Sequence, residues 1–450
     1  MFRIHSPWIK ARKKILVFLF IDVITYSSTF FLFVLSKEID QINYLIFLLF
    51  LLFFINISYL LGRYSNDLEE YQNILKNELR KNIFLFINLL LISYISNLIG
   101  FLFFYNLELG NIYLNTSFIF YFTLISYLKD TFIRKIINIG ESKKNLWIFI
   151  GSKLTYKKLL KNIEENVMKS HLIFLENIND FIENSSHSIK GIIVQDWKYI
   201  SENQSGQVIS YQKKGLVINS LETWCNINLQ RLPPDLVNKD FILSKNYLHK
   251  INSFDNRLKR LTDVMVSIVL LVITSPILII SMFLIYFEDK GPILYSQSRT
   301  GYLQKPIKIF KLRTMKIDAE NDGIRWASQN DLRITNIGRF LRKTRLDELP
   351  QLISVIKGEM SLIGPRPERP EMETFLKEKI PHYDIRNFVK PGISGWAQVN
   401  FHYGANIEDS NNKLSYDIYY IRNFSLALDL IILFKTLKII FNGRGFQPKN

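Results

Sequence analysis

Cysteine is nearly absent: the 450 residues contain one, Cys225. A single thiol excludes a disulfide-stapled scaffold and any cysteine-based zinc or iron–sulfur site. His171, His187 and His249 lack metal-ligand spacing and read as surface residues. Acidic residues are in deficit, since 40 Asp+Glu against 57 Lys+Arg leaves a net charge of +17. The low hydrophobicity of a disordered chain is also missing, because 48% of residues are hydrophobic and 14% aromatic. Mean hydropathy is slightly positive. With surplus positive charge, that fits a membrane protein whose polar parts face anionic lipid or phosphorylated ligands. The length suggests about three units at roughly 150 residues each.

The apolar residues are concentrated in runs. Ile15–Leu35 carries one acid, Asp22, and Ile42–Leu61 carries no charge; Ile83–Tyr105 and the weaker Asn111–Leu128 follow. Each approaches the roughly 20 residues that cross a bilayer core. Buried helices of a soluble bundle would instead show charges every turn. Lys and Arg cluster before the first run, between the second and third, and after the fourth. The positive-inside rule then places both ends of a four-helix unit, residues 1–140, on the cytoplasmic side. The first run is too long for a cleavable signal, and no small-x-small site follows it.

Residues 141–252 change to mixed polar and apolar composition. Leu146–Ile150, His171–Leu175, Gly191–Val194, Gln207–Tyr211 and Leu216–Ile218 read as strands, with a helix over Lys153–Lys169. The alternation predicts a central Rossmann-like α/β domain. Gly151 is followed by Ser152 and Lys153 without further glycines, so the dinucleotide fingerprint is lacking and a scaffold or regulatory role is expected.

A fifth apolar run, Val264–Phe287, has Ser275 and Pro276 at its centre. Proline removes a backbone donor and kinks or breaks a helix. Each half would reach about 18 Å, short of a hydrocarbon core about 30 Å thick. The backbone opened at the break needs a partner, and the Ser275 hydroxyl is a candidate. Positive charge flanks both ends, which favours a re-entrant hairpin at 264–287 over a span.

From Arg299 onward the chain is dense in charge, glycine and proline. Lys308, Lys311 and Arg313 lie in a strand-like stretch, and Ile337, Phe340 and Leu341 mark one face of a short helix. Asp347 and Glu348 follow beside Arg342, Lys343 and Arg345, with Pro350 in the first turn of a helix that stops at Gly358. A helix start and neighbouring cations favour the carboxylate form, so Asp347 is expected to have a depressed pKa. Such a pair can supply a nucleophile or a Mg²⁺ ligand. Taken singly, an acidic pair at a helix start is a cap and Gly364–Pro367 (GPRP) a rigid turn. Their combination behind a membrane-embedded segment points to chemistry. Leu426–Phe441 fits either an interfacial helix or a packed core helix. Tyr383 and Arg386 are further candidates to line the site.

Together KLRTM (Lys311–Met315), RLDELPQL (Arg345–Leu352), KGEMSLIGPRPERPE (Lys357–Glu371) and KPGISGWAQVN (Lys390–Asn400) resemble the bacterial sugar transferase family, the monotopic phosphoglycosyl transferases. The resemblance covers about Asn256 to Lys449. The preceding spans and α/β segment look like the long-form undecaprenyl-phosphate hexose-1-phosphate transferases.

The resemblance implies transfer of a sugar 1-phosphate from a UDP-sugar to undecaprenyl phosphate with release of UMP. That step initiates capsule, exopolysaccharide or O-antigen synthesis at the bacterial inner membrane, on its cytoplasmic face. By similarity Asp347 is the nucleophile, forming an aspartyl phosphosugar, and Glu348 holds Mg²⁺. Arg342 matches an arginine that holds the lipid phosphate, and Pro365, Arg366 and Pro367 match the part that holds the uridine nucleotide. Lys311, Arg313 and Arg345 complete the expected substrate site. The implied architecture is a multi-pass, multidomain membrane protein. It has a four-helix transmembrane bundle, a central α/β domain, and an α/β catalytic domain at 253–450 with its re-entrant hairpin broken at Ser275–Pro276. Expected partners are the UDP-sugar, undecaprenyl phosphate, the bilayer and a second copy as homodimer, with no nucleic acid. Two competing readings remain. A metal-dependent lipid-linked glycosyltransferase would commonly carry a D-x-D triplet, which does not occur here. A non-catalytic assembly or regulatory protein would not need an intact Asp347-Glu348 pair and GPRP loop.

Overall fold

The computed structural model describes residues 13–36, 116–141, 146–164, 171–176, 189–236, 254–317, 319, 331–401 and 406–441, with scattered positions between 48 and 94. They fall into two compact units, one carrying the described residues up to Glu141 and one carrying those from Leu146 onward.

In the first unit, α1 (Lys13–Ser36) and α2 (Thr116–Glu141) lie together. Tyr26 of α1 packs edge-on against Phe122 of α2 at 5.1 Å between ring centroids. Asp22 is fully buried and pairs with Lys129, which also lies 3.3 Å from Asp130. Charges inside apolar helices persist when paired in this way. The expected spans Ile42–Leu61 and Ile83–Tyr105 lie mostly outside the described residues.

The second unit begins with β1 (Leu146–Ile150), α3 (Lys153–Glu164), β2 (His171–Leu175), β3 (Ile189–Val194), α4 (Glu202–Lys213) and β4 (Val217–Ser220). The strands form one parallel sheet in the order β2-β1-β3-β4. The apolar run of β1 is covered on both faces, as parallel strands usually are. Alternation sends Trp147, Phe149 and Ile193 into one core and Ile148, Ile150, Ile192 and Val194 into another. The strand expected at Gln207–Tyr211 is instead part of α4. The Ser201 backbone N–H donates to the Gln204 side chain at 3.0 Å in a capping box. The helix is therefore started before the β-branched residues are reached.

The sequence then forms α5 (Phe254–Asp289), an antiparallel hairpin of β5 (Leu294–Thr300) and β6 (Pro306–Leu312), and α6 (Asn336–Thr344). A 3₁₀ turn, Leu346–Gln351, leads into α7 (Leu352–Lys357) and β7 (Ser361–Ile363). After α8 (Pro370–Lys379) comes β8 (Gly392–Ser394), parallel to β7, then α9 (Ile407–Arg422) and α10 (Leu426–Phe441). Among the described residues α5 alone is long and apolar enough to cross a membrane. It runs through Pro276 without interruption, where two separate arms were expected. Proline deprives the Val272 carbonyl of its helical donor, and the Ser275 hydroxyl supplies one at 2.8 Å. Val272, Ile273 and Phe287 are each more than 65% exposed, leaving a broad apolar face uncovered.

Both ends of α5 are fastened to the same unit. At the front, Arg260 donates to the carbonyls of Val355 and Ile356, and Ser361 donates to Asp263 at 2.7 Å. At the back, Leu278 and Ile285 pack on Leu312 and Leu341, and Asp289 accepts from Arg313. Of the two readings of Leu426–Phe441, the packed helix applies. Leu428 and Ile432 are fully buried, and Asp429 accepts from Lys259 at 2.7 Å and from Tyr420 at 2.8 Å.

Candidate active site

The carboxylates sit where three segments converge. The alternation of β6 turns Lys311 towards the 3₁₀ turn. Arg345 closes α6 in a left-handed conformation, φ 60°. That reversal brings Asp347 and Glu348 back over β6. The Gly364–Pro367 loop supplies Arg366 from the opposite side. Glu348 is 5% exposed and accepts from three cations: Lys311 at 3.0 Å, Arg366 at 2.7 Å and Arg345 at 3.3 Å. Burial opposes its ionisation, yet Arg366, Lys311 and Arg345 together hold it well below the usual carboxylate range.

Asp347 behaves oppositely to the sequence expectation. It is 7% exposed, its Oδ1 is buried without a hydrogen-bond partner, and its pKa is raised to about 6. Burial is the main cause and the ionised Glu348 the second; Lys311, Arg345 and Arg342 pull the other way. The cations visible in sequence are present, but they are spent on the neighbour. Burial also lowers the Lys311 pKa, against the pull of Glu348.

The structure brings Lys311, Arg345, Arg366, Asp347 and Glu348 together. Arg342 approaches Asp347 electrostatically, while its Nε donates to Thr314 at 2.8 Å. Arg313 is not brought to the carboxylates and serves Asp289 at the end of α5. Pro365 and Pro367 flank Arg366; the Gly364 N–H donates to Ser394 and the Pro365 carbonyl accepts from Gly392, both at 2.8 Å. A Cβ on Gly364 would lie 2.3 Å from the Lys390 carbonyl, so only glycine allows this approach.

Two arginines stand behind this loop: Arg386, a candidate to line the site from sequence, and Arg299, which was not singled out. Arg386 donates to the Arg366 carbonyl at 2.8 Å, and Arg299 to the Pro367 carbonyl at 3.2 Å. Arg386 also faces Asp417 of α9 at 3.1 Å and donates to the Tyr383 hydroxyl. Tyr383 is thus a buried neighbour of Arg386, and burial raises its pKa.

Among the described residues no three His, Cys, Asp or Glu side chains cluster for a metal. Magnesium prefers oxygen and is commonly held by one or two carboxylates with phosphates and water completing its shell. Glu348 is the carboxylate that would hold such an ion, with substrate phosphates and water completing the shell.

A family model described as bacterial sugar transferase matches residues 254–443. A UDP-N-acetylgalactosamine-undecaprenyl-phosphate N-acetylgalactosaminephosphotransferase of Aeromonas hydrophila is 42% identical over 188 residues, 42% of this chain and 44% of that protein. A UDP-glucose:undecaprenyl-phosphate glucose-1-phosphate transferase of Klebsiella pneumoniae is 40% identical over 195 residues, 43% of this chain and 41% of that protein. The alignments thus span less than half the length of these two relatives. An uncharacterized sugar transferase, EpsL, of Bacillus subtilis is 37% identical over 197 residues, 43% of this chain and 92% of that protein. With motifs, site and these likenesses in agreement, the chain belongs to the bacterial sugar transferase family.

Proposed function

We propose that the chain transfers a sugar 1-phosphate from a UDP-sugar to undecaprenyl phosphate, releasing UMP. The relatives are named for this reaction with glucose or N-acetylgalactosamine as the sugar. The observation that carries the reading is the division of labour in one buried pair. Glu348 is neutralised by three cations, while Asp347 keeps an unpartnered oxygen.

In this mechanism an Asp347 oxygen attacks the phosphorus bearing the sugar. The bond from that phosphorus to the bridging oxygen breaks, and UMP departs with the electron pair. An oxygen of undecaprenyl phosphate then attacks the same phosphorus and releases the Asp347 carboxylate, leaving a sugar diphospholipid. Phosphoryl transfer depends on positioning and charge neutralisation. Lys311, Arg345 and Arg366 supply that charge once the diphosphate arrives, and Arg342 takes the lipid phosphate. Glu348 would hold Mg²⁺ by giving up one of its cation contacts, and the ion would offset the diphosphate charge.

The chain acts at the bacterial inner membrane with its catalytic unit on the cytoplasmic face, initiating capsule, exopolysaccharide or O-antigen synthesis. α5 enters and leaves by that face. Support comes from its two ends, which grip one compact unit through Asp263–Ser361 and Asp289–Arg313. A straight helix of 36 residues would separate its ends by about 54 Å, so both ends reach one unit only if α5 bends, and Pro276 is where a helix kinks.

The test is nucleotide release from purified protein given Mg²⁺, undecaprenyl phosphate and a panel of UDP-sugars. UMP with a lipid-linked phosphosugar is expected. UDP would point to a glycosyltransferase, and no nucleotide to an assembly role.

A further inference from the structure

The Gly364–Pro367 loop presents Arg366 with little help from its own backbone. Proline at 365 and 367 removes two N–H donors, so the loop cannot close on itself by ordinary turn hydrogen bonds. Its first half is tied to β8 through Ser394 and Gly392. Its second half, which carries Arg366, is held by side chains instead. Arg386 takes the carbonyl of Arg366 itself, and Arg299 takes the next one, that of Pro367. The two arginines approach from different elements, Arg299 from β5 and Arg386 from the short helix Tyr383–Phe388. Glu368 stands between them, 3.8 Å from each guanidinium.

Burying a guanidinium is costly unless its charge and donors are matched. Arg386 is 6% exposed and is matched by Asp417, itself 2% exposed. Burial lowers the Arg299 pKa to about 10, with Glu368 the chief opposing charge. A loop held only for stability could be fastened by backbone strands, as its first half is. Planar, pre-organised donors on two successive carbonyls fix direction as well as position.

We infer that Arg299 and Arg386 are positioning residues, which clamp successive carbonyls of the Gly364–Pro367 loop so that the Arg366 guanidinium meets the diphosphate of the UDP-sugar. Asp417 and Glu368 hold the clamp itself. This rests on the proposed role of Arg366 towards the donor. A lysine keeps the charge but cannot reproduce the fork, so Arg386→Lys and Arg299→Lys loosen the loop without emptying the site.

In a two-step reaction through a covalent intermediate, kcat/KM for the donor reports the first step and kcat/KM for the lipid phosphate the second. The experiment measures both by UMP release in the full chain, for R386K, R299K, R366A and the doubles R386K/R366A and R299K/R366A. Misplacing a binding group by about 1 Å can cost on the order of 100-fold, so each lysine variant should lower donor kcat/KM by roughly 10- to 100-fold. Lipid-phosphate kcat/KM should stay within about twofold, and adding either lysine to R366A should cost nothing further. Losses that multiply in the doubles, or that fall equally on both substrates, would overturn the clamp and leave a purely structural network. If R386K does not accumulate as folded protein, R299K decides by the same criteria. Should R366A lower donor kcat/KM while neither lysine variant does, the clamp alone falls. Should R366A leave donor kcat/KM unchanged, the role of Arg366 and the clamp fall together.

Discussion

The raised pKa of Asp347 predicts an acid limb in the first chemical step. Moving an aspartate from 3.8 to about 6 disfavours its charged form by about 3 kcal/mol, at about 1.4 kcal/mol per tenfold. Attack on phosphorus needs the carboxylate. With a pKa of about 6, about ten elevenths of Asp347 is ionised at pH 7 and about one eleventh at pH 5. The rate of covalent labelling by a radiolabelled UDP-sugar in a single turnover without acceptor should therefore fall about tenfold from pH 7 to pH 5. Two variants separate the causes. Glu348→Gln removes the neighbouring negative charge and should move the midpoint down, towards the ordinary aspartate range, whatever it does to the absolute rate. Lys311→Met removes a cation that lowers the Asp347 pKa and should move the midpoint up. A labelling rate flat between pH 5 and 7 would refute the assignment. So would midpoints that move in the same direction in both variants.

Asp347→Ala should abolish UMP release and covalent labelling, and residual turnover above background would remove it as the nucleophile. A cysteine at Lys290, just past the end of α5, should react with a membrane-impermeant maleimide only from the cytoplasmic side in sealed vesicles; reaction from outside would mean that α5 crosses. Ser275→Ala strips the Val272 carbonyl of its donor next to Pro276 and should cost about 1–3 kcal/mol, read as a lower unfolding midpoint in detergent. Trp396→Ala, at a side chain 1% exposed, should cost about 3–5 kcal/mol; a loss below 1 kcal/mol would contradict its place in the core.

Features written in local pattern were legible in the sequence. LWIFI before Gly151 became β1, IKIFKL became the body of β6, and the stretch of Ile337, Phe340 and Leu341 became α6, though Phe340 is exposed while Ile337 and Leu341 pack inward. Gln207–Tyr211 misled because Val208 and Ile209 are β-branched, while the decisive signal lay upstream in the Ser201–Gln204 box. The motif carrying Asp347 and Glu348 was readable as an acidic pair among cations. Its electrostatics were not, because sequence shows which charges are near but not which carboxylate they serve or how deeply each is buried. Arg313 looked equivalent to Lys311, yet Lys311 serves Glu348 and Arg313 serves Asp289 at the end of α5. Arg299 left no local trace and Arg386 was a candidate without a spacing argument, since their partners are backbone carbonyls 68 and 20 residues away.

The face of α9 turned from Arg386 has its own consequence. Arg231 reaches Asn412 at 3.2 Å, the Leu232 N–H donates to the Ser415 carbonyl at 2.8 Å, and Trp396 donates to the Gln230 carbonyl at 2.9 Å. Trp147, Phe149 and Trp224 share one core with Trp396, Leu414 and Tyr419. The parallel sheet and the sugar-transferase segment are therefore inseparable as folding units and should melt in a single transition. Trimming the gene to the family segment would strand a tryptophan and several tyrosines in water. Grafting a catalytic segment between long and short members is thus a problem of re-dressing one helix face, with the reacting residues left as they are.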